Sequence, residues 1–431
     1  MNSTQSPGNN IVRLMIILAA WLCFLPVPII FHSFHAGSIS ILLVLIFGLH
    51  GAWQLSRKTA GRWTYISVII ISVGFNLLGS IIFDKGEIIP LFTRVSHALG
   101  PMLIILLFIK DYSMLRFAVM TVMSMLFVST FFAVAIDLIG DPFYSIKFYL
   151  ISVSEHDILD QESFFSYASG LRGSVYMFGY DLIVLFGILA GFLYNRQLSQ
   201  AGNRRIQYIL VAVGMAAVFF TMQINGERMP VLISAAILCL ALVTQKGDNA
   251  IAKIMAVLFI GTTLVVLGGA LLNSDITTGA FGRLRSTSVE SNDLRMELID
   301  IALYSLKNDP FSPLDTYESL APTYLGNPLP PHVHFLTVLI KYGIGVLPVI
   351  IFIIYRLIRS SIFQIKYMSD QTSWMIYYAL LGFLLNGLAH NPGPWWETPS
   401  GVFILALWGK SMDLFNAEKC DNMPDARNAC A

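Results

Sequence analysis

Phe117-Ala118-Val119-Met120-Thr121-Val122-Met123-Ser124-Met125-Leu126-Phe127-Val128-Ser129-Thr130-Phe131-Phe132-Ala133-Val134-Ala135-Ile136 runs for twenty residues without a charge. A helix needs about 20 predominantly apolar residues to cross the hydrocarbon core of a bilayer, so this stretch reads as a transmembrane span. Comparable runs bring the total to twelve. In chain order they are Ile11–Phe31, Gly37–Leu55, Trp63–Phe83, Ile88–Ile109, Phe117–Ile136, Val175–Tyr194, Tyr208–Ile224, Val231–Thr244, Ile254–Leu272, Phe335–Tyr355, Trp374–Leu388 and Val402–Leu414. The eighth, eleventh and twelfth are short and draw on flanking residues to cross.

Composition agrees. Of 431 residues 56% are hydrophobic and 12% charged, and the mean hydropathy is +0.69. Soluble domains carry roughly twice that share of charge, which excludes a water-soluble enzyme. Lys and Arg total 27 against 26 Asp and Glu, so no basic excess points to nucleic acid.

Positive residues favour the cytoplasmic side of a span. With the N-terminus inside, seventeen Lys and Arg fall on inner segments. Nine fall outside: Lys85, Arg94, Lys147, Arg172, Arg228, Arg283, Arg285, Arg295 and Lys307; Lys341, in the tenth run, completes the 27. Adding or removing one span reverses much of this bias, so the expectation is an all-α polytopic membrane protein of about twelve helices with both termini cytoplasmic. The first run lacks a clear small-residue cleavage site and reads as a retained span.

The chain then divides into residues 1–136 with five spans, an outer loop 137–173, residues 174–272 with spans six to nine, a large outer loop 273–331, residues 332–415 with the last three spans, and a cytoplasmic tail 416–431. The large loop holds amphipathic helical material, with Leu294, Leu298, Ile301, Ala302 and Ser305 at three- and four-residue spacing. It closes on Asn327-Pro328-Leu329-Pro330-Pro331. No internal repeat is evident, which counts against repeat-built transporters. Cys23 and Cys239 lie in spans and Cys420 and Cys430 in the tail, so no outer-loop disulfide is expected.

Charges near membrane depth are functional candidates, and outer arginines run against the positive-inside tendency. Arg228 sits in the tight turn Asn225-Gly226-Glu227-Arg228-Met229-Pro230, as an ion pair with Glu227 or a headgroup contact on the plain view, or as a fork for phosphate. Arg283, Arg285 and Arg295 share a loop with eight acidic and four basic residues, where an arginine is more often solvated or internally paired. Arg295 is expected to begin the amphipathic helix. Arg172 stands in Ser169-Gly170-Leu171-Arg172-Gly173. His332 and His334, beside the proline segment, can take a proton near neutral pH; the plain alternative is an interfacial histidine without a role. No third ligand has metal spacing to them. Trp395 and Trp396 read as an interfacial belt before a sugar platform.

His332, Leu336 four residues on, and Gly343 seven further resemble the motif of the bacterial O-antigen ligase and polymerase superfamily, with Val333 where a small polar residue is usual. Gly226-Glu227-Arg228 resembles that family's short Ser-Arg turn, with Glu227 for serine. The helix of Arg295, ending near Asn308-Asp309-Pro310, resembles its Arg-led periplasmic helix. Ser169-Gly170 resembles its glycine signature, with Tyr167 replacing an upstream arginine. The likeness runs from roughly Ser169 to Pro348.

The resemblance implies a GT-C-like glycosyltransferase of the bacterial inner membrane, with its large periplasmic loop between helices nine and ten. The donor would be a glycan on undecaprenyl diphosphate. The acceptor would be a second lipid-linked repeat unit for a polymerase, or lipid A–core for a ligase. It also implies inverting, metal-independent chemistry without a cofactor, membrane lipid as surroundings, and a chain-length regulator and flippase as assembly partners. Arg228 and Arg295, with Arg172 third, would stabilise the departing diphosphate. His332, with His334 second, would act as base toward the acceptor hydroxyl. The expectation leans to polymerase over ligase. A transporter or lipid-linked-glycan flippase is the competing class. A metal-dependent enzyme using a polyprenyl monophosphate ranks last, because the first outer loop His32-Ser33-Phe34-His35-Ala36 has no carboxylate.

Overall fold

Asp111 starts the longest helix among the described residues by accepting the Met114 N–H at 2.8 Å. A side-chain cap of this kind stabilises a helix by about 1 kcal/mol. The helix then runs Tyr112–Ile139 and closes with the Gly140 N–H on the Ile136 carbonyl at 3.0 Å. The computed structural model describes residues 7–25, 100–143, 145–147, 170–171, 175–193, 201–225, 228–244, 289–324, 327–329, 331, 333–348, 370–389 and 399–422, with scattered positions between 351 and 365. The second, third and ninth apolar runs lie outside the described residues, as does most of the fourth.

The described chain is mostly helical. Its helices include α1 Pro7–Phe24, α2 Tyr112–Ile139, α3 Val175–Phe192, α4 Ala201–Asn225, α5 Arg228–Thr244, α6 Val289–Asn308, α7 Pro313–Leu320, α8 His334–Tyr342, α9 Gln371–Ala389 and α10 Pro399–Asn422. A two-residue antiparallel pair, β1 Thr323–Tyr324 with β2 Asn327–Pro328, sits between α7 and α8. Among the described residues one helix, α2, is long and apolar enough to cross a membrane, with a mean hydropathy of 2.2; Asn10–Phe24, Met177–Phe192, Ile209–Asn225 and Met229–Thr244 are shorter apolar stretches.

α3 is the axis of the bundle. Residues 178–191 are buried without interruption, as expected of a helix that is apolar all round. Its closest partner is α9. Gly187 and Gly191, one turn apart, let the two backbones meet: a Cβ on Gly187 would lie 2.6 Å from the Ala379 nitrogen, and one on Gly191 2.4 Å from the Met375 Cα. From the other side Gly382 makes room for Ile183. α4 and α5 pack against α3, and α1 against α2.

Helix ends meet in pairs. At one end Arg13 lies 5.4 Å over the Phe117 ring, Gln371 Nε2 donates to the Phe192 carbonyl at 3.1 Å, and the Thr244 hydroxyl meets that of Tyr378. Lys410 Nζ reaches both Asp413 at 3.3 Å and the Leu106 carbonyl at 3.4 Å. At the other end Phe24 stacks edge-on with Phe403, centroids 5.6 Å apart, and the Leu171 N–H donates to Ser129 Oγ at 3.0 Å.

The core is apolar, yet many large apolar side chains also face outward and several polar ones are buried. Ile11, Leu14, Phe131, Ile209, Leu210 and Val213 are each more than half exposed, whereas Asp181, Asn225, Asn386, Lys410 and Asp413 are buried.

The tenth run departs from expectation. Phe335–Tyr355 is not one helix: α8 stops at Tyr342, Gly343 takes φ +68°, and a 3₁₀ turn covers Ile344–Val346. The cause is tertiary. The Ile344 N–H bonds the Pro310 carbonyl at 2.7 Å, and a Cβ on Gly343 would come within 2.4 Å of the Phe311 carbonyl oxygen. Only glycine readily supplies that positive φ at such close quarters. The described residues from 347 to 365 are all helical.

Candidate functional site

The stretch from α6 to α8 folds on its own small core. Leu298, Ala302 and Ser305 are fully buried, with Leu294 and Ile301 partly so, which is the stripe expected from the sequence. Tyr317 and Ala321 after it, and Ile340 from α8, complete this core. Phe335, Val338, Leu339 and Tyr342 of the same short helix pack instead on the main bundle. α8 therefore rivets the loop module to the bundle, contacting α6 and α7 on one side and α9 on the other.

The segment entering α8 is clamped at two carbonyls. Tyr317 Oη donates to the Leu329 carbonyl at 2.6 Å. Thr337 Oγ1 donates to that of Pro331 at 3.0 Å and more weakly to that of Val333 at 3.3 Å. The Leu329 N–H returns to the Pro322 carbonyl at 2.9 Å. Burial pushes the Tyr317 phenol well above its ordinary range, so it remains a donor at physiological pH. Proline at 328, 330 and 331 stiffens the strap between these anchors.

His332 lies outside the described residues, directly after the clamped Pro331. His334 is the first residue of α8, and its side chain is outside the described set. Arg295 is described and exposed. The helix carrying it begins at Val289, so Arg295 stands in its second turn rather than at its start, flanking the buried stripe; the earlier start corrects the expectation. Arg228 opens α5, with its side chain outside the described residues. Arg172, Arg283, Arg285, Trp395 and Trp396 lie outside them as well.

The structure thus joins the helices of Arg295 and His334 through Leu298, Ala302 and Ile340. It puts α5, headed by Arg228, and α8 against the same helix, α9. Tyr317 and Thr337 went unnoticed in the sequence because nothing local marks a hydroxyl whose acceptor is a carbonyl twelve or six residues away. Among the described residues no three His, Cys, Asp or Glu side chains converge as a metal site would require.

After α2, Lys147 is buried, and burial pulls its ammonium from 10.5 down to about 8.

Compared with known proteins, the chain matches no family model, no curated protein and no solved structure.

Proposed function

We propose that this chain is a twelve-span, GT-C-like protein of the bacterial inner membrane that transfers a glycan from undecaprenyl diphosphate on the periplasmic face, polymerising surface-polysaccharide repeat units. The observation that supports the proposal is the contact at the end of α8, where the Ile344 N–H meets the Pro310 carbonyl and Phe311 abuts Gly343. It brings the proline that follows the Arg295 helix against Gly343, two separated pieces of the resemblance.

The membrane part has separate support. Each Ile, Leu or Phe left in water forgoes about 1.5–3 kcal/mol, so an outward apolar surface around a polar-containing interior favours a hydrocarbon surrounding. Glycines at four-residue spacing that bring two helices into backbone contact are a habit of membrane helices, and Gly187 and Gly191 follow it. The pairing of helix ends agrees with the side assigned to each by charge.

In the proposed reaction His332, or His334 in its place, takes the proton from an acceptor hydroxyl. The hydroxyl oxygen attacks the anomeric carbon as the bond to the diphosphate oxygen breaks, with inversion. Undecaprenyl diphosphate leaves with the bonding pair. Arg228 and Arg295, with Arg172, stabilise its charge. General-base assistance is worth roughly 10²–10⁴ in rate, so His332→Ala should lose about that much; a purified His332→Ala protein transferring glycan at the parent rate removes His332 from the mechanism. A chromosomal deletion checks the kind of transfer. Single capped repeats on lipid A–core are expected, and loss of all repeats from it would instead indicate the ligase.

A further inference from the structure

Lys341 is the positive residue that the charge count leaves on neither side of the membrane, inside the tenth apolar run. A charge kept in such a run is a functional candidate, and the fold gives this one a specific place. It stands in the last turn of α8, half-buried, with its ammonium 5.9 Å from the centre of the Tyr342 ring.

α8 has two packed faces. Phe335, Val338, Leu339 and Tyr342 turn to the bundle, and Ile340 turns to the core of the loop module. Helical spacing of about 3.6 residues per turn puts positions 334, 337 and 341 on a third edge between the two. Thr337 holds the Pro331 carbonyl at 3.0 Å, which fixes the proline strap to this edge at the residue before His332. Lys341 follows Thr337 by one turn and His334 by two. Cα–Cβ bonds in a helix tilt toward its N-terminus, so that of Lys341 leans toward the strap.

We propose that Lys341 binds the diphosphate of the lipid-linked donor; the proposal rests on the glycan-transfer reading above. A lysine acts there as a flexible point charge, where the planar fork of an arginine binds two oxygens at once. It brings a cation to the edge that holds His334 and the strap of His332, so charge building on the departing diphosphate is met beside the proton transfer.

Binding of undecaprenyl diphosphate, the leaving group itself, tests this without a glycan. The full chain and its Lys341→Gln, Lys341→Arg and Lys307→Gln variants are purified in phosphatidylcholine nanodiscs, and affinity and melting temperature are measured for each. Loss of a charge-assisted contact should weaken binding about ten- to a hundredfold in Lys341→Gln. Lys341→Arg should keep most of the affinity, and Lys307→Gln, which alters an exposed lysine at the end of α6, all of it. Excess phosphatidylglycerol should not compete. Unchanged affinity in Lys341→Gln overturns the proposal, and a fall in its melting temperature alone would leave Lys341 serving the helix end. Equal weakening in Lys341→Arg or Lys307→Gln also overturns it, as does displacement by phosphatidylglycerol, which would make Lys341 a phospholipid-headgroup contact. If Lys341→Gln does not fold, protection decides: bound undecaprenyl diphosphate should shield Lys341 of the parent from acetic anhydride, and undiminished acetylation overturns the proposal. A parent chain that does not bind undecaprenyl diphosphate overturns the transfer reading, and the proposal with it.

Discussion

Tyr317 sits buried in the loop module and gives its hydroxyl proton to the Leu329 carbonyl at 2.6 Å. A buried carbonyl stripped of its donor costs about 1–3 kcal/mol, so Tyr317→Phe should loosen the proline strap while sparing the apolar packing of the ring. Amide hydrogen exchange is expected to accelerate across residues 329–337 and to stay unchanged in α3 and α9; unaltered exchange in the strap would mean the bond does not hold it. Lys147 gives a pH signature. Its folded pKa, about 8, lies below its ordinary 10.5, so between those values the unfolded chain binds more protons and stability rises with pH, on the order of 1 kcal/mol per unit. Lys147→Met should flatten that rise: the difference in melting temperature between parent and variant should shrink from pH 8 to pH 10. A constant difference would contradict a buried ammonium.

At the scale of elements, the α3–α9 pair depends on two glycines. Gly187→Leu or Gly191→Leu would drive a side chain into the α9 backbone, and overpacking of this kind costs about 1–3 kcal/mol or more. Thermal stability in detergent should fall sharply for both. Gly214→Ala in α4, whose Cβ would find its nearest neighbours at 3.5 Å, should be neutral or stabilising by up to about 1 kcal/mol through helix propensity. Equal melting temperatures for all three variants would refute the close approach. The stripe of α6 was legible because burial of Leu298, Ala302 and Ser305 follows directly from helical spacing. The break at Gly343 was not, because hydropathy continues across it on both sides. A bond from Ile344 to Pro310, thirty-four residues earlier, decides it. Arg295 was misjudged as a helix start for a related reason: apolar spacing begins at Leu294, whereas the backbone is already helical from Val289.

For the molecule as a whole, the apolar runs give helices, and the described chain is mostly helical. Arg13 on Phe117, Gln371 on Phe192 and Lys410 on Leu106 join helix ends, and the proposed topology puts each of these pairs on one side of the membrane. Of the candidate site residues only the side chain of Arg295 is among those described, so the sequence supplies candidates and not their arrangement. The docking of the loop module and the clamps of Tyr317 and Thr337 arise from contacts distant in sequence. The central claim is glycosyl transfer at the outer face. It is tested most directly by reconstituting the purified full chain in proteoliposomes with an undecaprenyl-diphosphate-linked repeat unit and following both glycan length and free undecaprenyl diphosphate. The account predicts longer lipid-linked glycan and one undecaprenyl diphosphate released per bond formed. An intact donor that only changes leaflet, with no new glycosidic bond, would contradict it and indicate a flippase.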